Sequence, residues 1–109
     1  MPVMLTLQDL NAQEVARRIK EEGAVLIDVR EPNEFDAEHI DGARLHPLST
    51  FDPNQLPKDV PLIFHCGIGK RSAMAAARAQ QAGYAHDLHL MGGLNAWKAA
   101  GQPTVIGKR

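Results

Sequence analysis

Short apolar runs alternate with helix-forming stretches along most of this chain, and that alternation limits the fold more than any other feature of the sequence. Ala24 to Val29 is apolar except for Asp28, and Val60 to His65 is a second such run. Both are too short for an independent helix, and continuous apolarity without a polar face is the pattern of a strand covered on both sides. Ala43 to Pro47 and Asp87 to Leu90 are shorter strand candidates, and Val3 to Leu7 is a further apolar stretch near the start.

Helical signals fill the gaps. Asn11 can cap a helix, with Glu14 placed to answer it three residues later, and Val15, Ala16 and Ile19 recur at helical spacing before Gly23 offers a left-handed stop. Pro32 suits the first turn of a short helix between Arg30 and Asp41, with Gly42 marking the turn that follows. Pro53 and Pro57 bracket a linker. Ser72 to Ala82 is almost entirely good helix former and closes at Gly83. Gly92 to Ala100 carries Leu94 and Trp97 on one side of a last short helix, and Gly101 to Arg109 reads as a polar tail. The expectation is one α/β domain over residues 1–109. It has three layers: a central, mainly parallel sheet of about five strands with helices on both faces.

Parallel sheets place their sites at the carboxyl ends of the strands, and Asp28 and Cys66 both fall at such ends. Lys and Arg number 12 against 13 for Asp and Glu, a net charge of -1, so no broad field gathers nucleic acid or an anionic membrane, and any anion site is local. No stretch approaches the roughly 20 apolar residues of a membrane span, and the start lacks the pattern of a secretion signal. A single cysteine forms no internal disulfide and fits a reducing, cytoplasmic setting.

The run His65, Cys66, Gly67, Ile68, Gly69, Lys70, Arg71, Ser72 joins a buried strand to a helix. Its glycines let the backbone turn amides toward a common centre, and the helix adds its own free N–H groups and dipole. That builds an anion cradle. A cysteine at its mouth, near Lys70 and Arg71, is pushed toward thiolate and becomes a nucleophile at neutral pH. A sulfur sealed in the interior and facing away from any opening would defeat this reading.

At these residues the sequence resembles the rhodanese family. Asp28-Val-Arg-Glu-Pro-Asn-Glu-Phe35, then His39-Ile-Asp-Gly-Ala43 and Pro47-Leu48, are similar to the family's first signature. The Cys66 loop is the second, and Leu90-Met-Gly-Gly-Leu-Asn-Ala-Trp97 resembles the glycine-pair and tryptophan motif near rhodanese carboxyl ends. The resemblance implies a sulfurtransferase in which Cys66 takes sulfane sulfur from thiosulfate or a similar donor, holds it as a persulfide and passes it to cyanide or a thiol. It further implies a donor cradle made by Gly67, Ile68, Gly69, Lys70, Arg71 and Ser72, and a pocket wall that includes Asp28 and Arg30. No cofactor or metal is expected. A sulfur-carrier protein or a thioredoxin-like reductant would serve as a protein acceptor. A carrier module loaded by a partner, with little turnover of small donors, stands as the alternative. Related phosphatases and arsenate reductases use a loop one residue longer than the six from Cys66 to Arg71, which favours sulfur over phosphate. Glu38, where Gly is frequent, and Gly67, where a polar side chain is frequent, depart from the family pattern.

Other residues have plainer readings. Strand neighbours point to opposite faces, so His65 is expected to be structural rather than a base for Cys66. His86 and His89 have a metal-like spacing, but on a strand they too face opposite sides, roughly 10 Å apart. Arg30 either pairs with Glu34 at the surface or contacts substrate. Trp97 anchors the last helix. Gly92 and Gly93 are read as serving the turn before it, with close backbone approach to the pocket as the other choice.

Overall fold

The computed structural model describes residues 6–107. Five parallel strands form one sheet in the order β1-β5-β4-β2-β3. They are β1 (Gln8–Leu10), β2 (Val25–Asp28), β3 (Arg44–Leu45), β4 (Leu62–His65) and β5 (Leu88–Leu90), with helices α1 (Ala12–Glu22), α2 (Pro32–Ala37), α3 (Lys70–Gln81) and α4 (Gly93–Ala99). All four residues of β4 are buried, as its unbroken apolarity requires of the central strand. The first strand lies later than the apolar stretch at Val3 to Leu7, much of which falls outside the described residues. Of β1 only Leu10 is buried, so the strand gives almost no apolar signal of its own; it forms at the sheet edge against β5.

The two faces bury different sets. Leu26, Ile63 and Leu90 pack with Val15 of α1 and with Leu94 and Trp97 of α4, while Ile27, Phe64 and Cys66 pack with Ala75, Ala76 and Ala79 of α3. Each fully buried Val, Ile or Phe contributes about 1.5–3 kcal/mol, whereas an exposed ion pair such as Arg17–Glu14 is screened by solvent, so the apolar stripes place the helices. Asn11 caps α1 by accepting the Glu14 N–H at 2.8 Å, but the Glu14 carboxylate goes forward to Arg17 and Arg18. The side-chain return expected there occurs instead at α2, where Glu34 accepts the Glu31 N–H at 3.0 Å.

The polar tail is corrected to a strap. Val105 and His39 exchange backbone hydrogen bonds of 2.8 and 2.9 Å, and the Gly107 N–H donates to the Asp36 carbonyl at 2.8 Å. Glu38 accepts from Lys98 and from Thr104, and the Trp97 indole donates to the Pro103 carbonyl at 2.8 Å. Glu38 thus ties the strap to α4. Lys108 and Arg109 lie outside the described residues. Among the described residues no helix is long and apolar enough to cross a membrane.

Candidate functional site

Cys66 is the first residue after β4, and the chain must turn at once to enter α3. Gly69 makes that turn possible: at φ 112° it caps α3 in a conformation that L side chains rarely adopt, and it aims its N–H at the Cys66 sulfur, 3.0 Å away. The Ser72 hydroxyl lies 3.8 Å from the same sulfur and 3.0 Å from the Gly69 carbonyl. Burial pushes the Cys66 thiol up, but the Ser72 and Gly69 amides, the Ser72 hydroxyl and the Ile68 amide outweigh it and hold the thiol below its ordinary value.

The loop is held from behind by α4. The Leu94 N–H donates to the Cys66 carbonyl at 2.8 Å, and the Asn95 N–H to the Gly67 carbonyl at 3.2 Å. A Cβ on Gly93 would stand 2.2 Å from the Cys66 oxygen and 2.7 Å from the Gly67 carbonyl. Close approach, set aside in favour of the turn on sequence grounds, is therefore what Gly93 provides, while Gly92 makes the turn at φ 78°.

One expectation about the loop needs correction, and a second gains a partner that the sequence did not show. The sulfur was expected at the mouth of the cradle, but Cys66 has no exposed surface. It lies at the floor, turned toward the loop amides rather than away from them, and the Gly67 to Arg71 segment is its cover; Ile68 and Lys70 are exposed and Gly67, Gly69 and Arg71 partly so. Arg71 was expected to offer its charge to a donor. Its guanidinium is held by Glu34 of α2 through hydrogen bonds of 2.7 and 3.0 Å. That pairing holds the Glu34 carboxyl well below the usual range, at about 2, and raises Arg71. Lys70 is the exposed cation of the loop.

Asp28 and Arg30 form an internal brace. The Arg30 guanidinium donates to the wholly buried Asp28 carboxylate at 2.8 to 3.2 Å and to the Glu34 and Glu38 carbonyls at 3.4 and 2.8 Å. Its ion-pair partner is thus Asp28 rather than the Glu34 carboxylate, which belongs to Arg71. His65 sits on the same side of the sheet edge as Asp28. A carbonyl only accepts, so His65 Nδ1–H donates to the Cys66 oxygen at 3.2 Å, and Nε2, without a proton in the neutral ring, faces Asp28 Oδ2 at 3.4 Å. Burial lowers the His65 basicity, which fits that neutral form.

His86 and His89 have separate surroundings. His86 stacks on Tyr84 and meets the edge of Phe64, whereas His89 bonds to Ser72 at 2.8 Å and to Asp9 at 2.5 Å. Asp9 has no part in the sequence reading, and His89 enters it only through its metal-like spacing from His86. The available signal was alternation: Leu88 and Leu90 pack on the α1 side, so His89 faces the α3 side with Cys66. That β5 lies beside β4, with His89 opposite Phe64, is decided only by the sheet order.

The family model for the Rhodanese-like domain matches residues 11–100. An uncharacterised Synechocystis protein is 42% identical over 102 residues, which cover 92% of this chain and 52% of that one. This chain therefore spans about half the length of that relative. Thiosulfate sulfurtransferase GlpE of Pseudomonas aeruginosa is 35% identical over 81% of this chain and 82% of its own. A rhodanese-related protein of Thermoplasma volcanium has the same fold in its crystal structure, with a TM-score of 0.79 and 29% identity over 90% of this chain and 97% of that one.

Proposed function

The chain belongs to the family of rhodanese-like domains, and from that premise we propose that it is a sulfurtransferase whose covalent carrier is Cys66. The observation that carries this reading is the sulfur at the amino end of α3, accepting the Gly69 N–H at 3.0 Å and held below the ordinary thiol range by the surrounding donors. In the first half-reaction the Cys66 thiolate attacks the outer sulfur of thiosulfate. The S–S bond breaks, sulfite leaves with the bonding electrons, and a Cys66 persulfide remains. In the second, cyanide or a thiolate takes the terminal sulfur and the Cys66 thiolate is restored. The loop amides stabilise the negative sulfur in both steps without having to reorganise. Lys70 adds charge for an anionic donor, while Arg71 fixes the loop through Glu34. A thiol, a sulfur-carrier protein or a thioredoxin-like reductant fits as acceptor, in a reducing compartment such as the cytoplasm.

Intact mass after incubation with thiosulfate tests the assignment directly. A gain of one sulfur atom, removed by cyanide with release of thiocyanate, is expected; absence of both signals defeats it. The covered sulfur favours a second reading, in which a partner that displaces the loop loads Cys66 much faster than small donors do. Comparing loading rates from thiosulfate and from a cysteine desulfurase decides between them.

A further inference from the structure

Cys66 is the first member of a hydrogen-bonded chain that runs from the site floor to solvent. Its sulfur lies 3.8 Å from Ser72 Oγ, Ser72 Oγ lies 2.8 Å from His89 Nδ1, and His89 Nε2 lies 2.5 Å from Asp9 Oδ1. Ser72 is fully buried, His89 is 5% exposed, and the Asp9 side chain is 57% exposed. A carboxylate only accepts, so Nε2 carries its hydrogen toward Asp9. In the neutral ring Nδ1 is then an acceptor, and at 2.8 Å it competes with the Gly69 carbonyl at 3.0 Å for the single hydrogen of Ser72. When that hydrogen goes to His89, the nearer of the two acceptors, Ser72 Oγ turns a lone pair toward the sulfur and can receive from the thiol. In that arrangement donors run in one direction, from Cys66 through Ser72 and His89 to Asp9. A Cβ on Gly69 would lie 3.9 Å from His89 Cε1, so the ring stands beside the residue whose N–H meets the sulfur.

We propose that His89 is a positioning residue that draws the thiol proton of Cys66 away through Ser72, with Asp9 holding the ring in the tautomer this requires. The S–H bond breaks and its electron pair stays on sulfur. The proton passes to Ser72 Oγ, and the hydrogen that Ser72 held passes to His89 Nδ1. The ring becomes a cation between Ser72 and Asp9, and its new Nδ1–H donates to Ser72, whose hydroxyl now points at the thiolate. The titratable groups facing the ring are Asp9 from β1 and, through Ser72 of α3, Cys66 at the end of β4. The buried imidazole thereby serves the sulfur without touching it. His65, the histidine adjacent in sequence, faces the other way. This deepens the reading of Cys66 as the reactive thiol and rests on it.

The test is the pH profile of Cys66 alkylation by iodoacetamide, which needs no sulfur donor. For His89→Phe the midpoint is expected to rise by about one unit, roughly a tenfold slower reaction near neutrality. Asp9→Asn, at an exposed position, shifts it less in the same direction. His89→Asn keeps a partner for Ser72 but takes no proton, so it should behave as His89→Phe in the profile while melting close to the wild-type temperature. A wild-type profile in His89→Asn, or in both His89→Phe and Asp9→Asn, overturns the proposal. Persulfide formation read by mass on the same variants separates the two claims. Loading with unshifted profiles sinks the relay and leaves the sulfur reading intact; shifted profiles with no loading even of the wild-type protein do the reverse.

Discussion

Two polar clusters meet the end of β4 from opposite sides, and they differ in what lies at their far ends. On the His65 side, Asp28, Arg30 and His65 are at most 4% exposed, and the Arg30 guanidinium spends its hydrogens on Asp28 and two carbonyls. On the Cys66 side, the sulfur is just as buried but is ringed by N–H and O–H donors and linked through Ser72 and His89 to an exposed carboxylate. Burial alone does not mark a reactive group. A buried charge matched atom for atom is structural, because removing either partner strands the other. A buried acid whose ionised form is already solvated by fixed amides is prepared to ionise.

The comparison is broken most severely at the sulfur. Cys66→Ser should abolish persulfide loading altogether, since no other thiol exists in the chain, while thermal unfolding remains cooperative; a mass gain that persists in the variant would place the sulfur elsewhere. On the other side, Asp28→Asn leaves the Arg30 guanidinium buried without its counter-charge. It should cost about 3–5 kcal/mol in urea unfolding, and a loss below ~1 kcal/mol would show that the brace is not what the geometry makes it. Gly93→Ala tests the seam between the clusters. A methyl 2.2 Å from the Cys66 carbonyl oxygen forces the loop and α4 apart, and about 1–3 kcal/mol of destabilisation is expected with slower alkylation of Cys66; wild-type behaviour in both would mean the approach is not tight.

The smallest effect concerns the clamp over the cradle. Glu34 has a folded pKa of about 2 against 4.5 ordinarily, so the pair with Arg71 stabilises fully above the ordinary value and its contribution is lost as pH falls toward about 2. Because both side chains are about one-third exposed, Glu34→Gln should cost under ~1 kcal/mol at pH 7. The difference from wild type should fade in urea titrations as pH falls through about 2. A deficit that persists there would show that the carboxylate's charge is not what Arg71 needs.

Much of the fold was legible because burial leaves a local trace. Four buried residues in a row at β4, the alanine-rich α3 and the glycine stops each follow from periodicity. The edge strand β1 and the strap at Val105 were not legible. One buries only Leu10 and the other makes a single antiparallel bridge, so their backbones are ordered by distant partners rather than by their own side chains. In the site, Cys66 and the Gly69 turn could be read from strand, glycine and helix in succession. The sulfur's position at the floor, the pairing of Arg71 with Glu34 and the company of His89 could not.

Sequence by itself determined the alternation of elements, the strand end on which the thiol sits and the donors it meets within six residues, because those contacts are made by neighbours along the chain. Tertiary structure decided which strand lies beside β4, which carboxylate takes Arg71 and which histidine stands behind Ser72. Those partners are separated by 17 to 80 residues. Only the packing of both sheet faces, a property of the whole chain, brings them into contact.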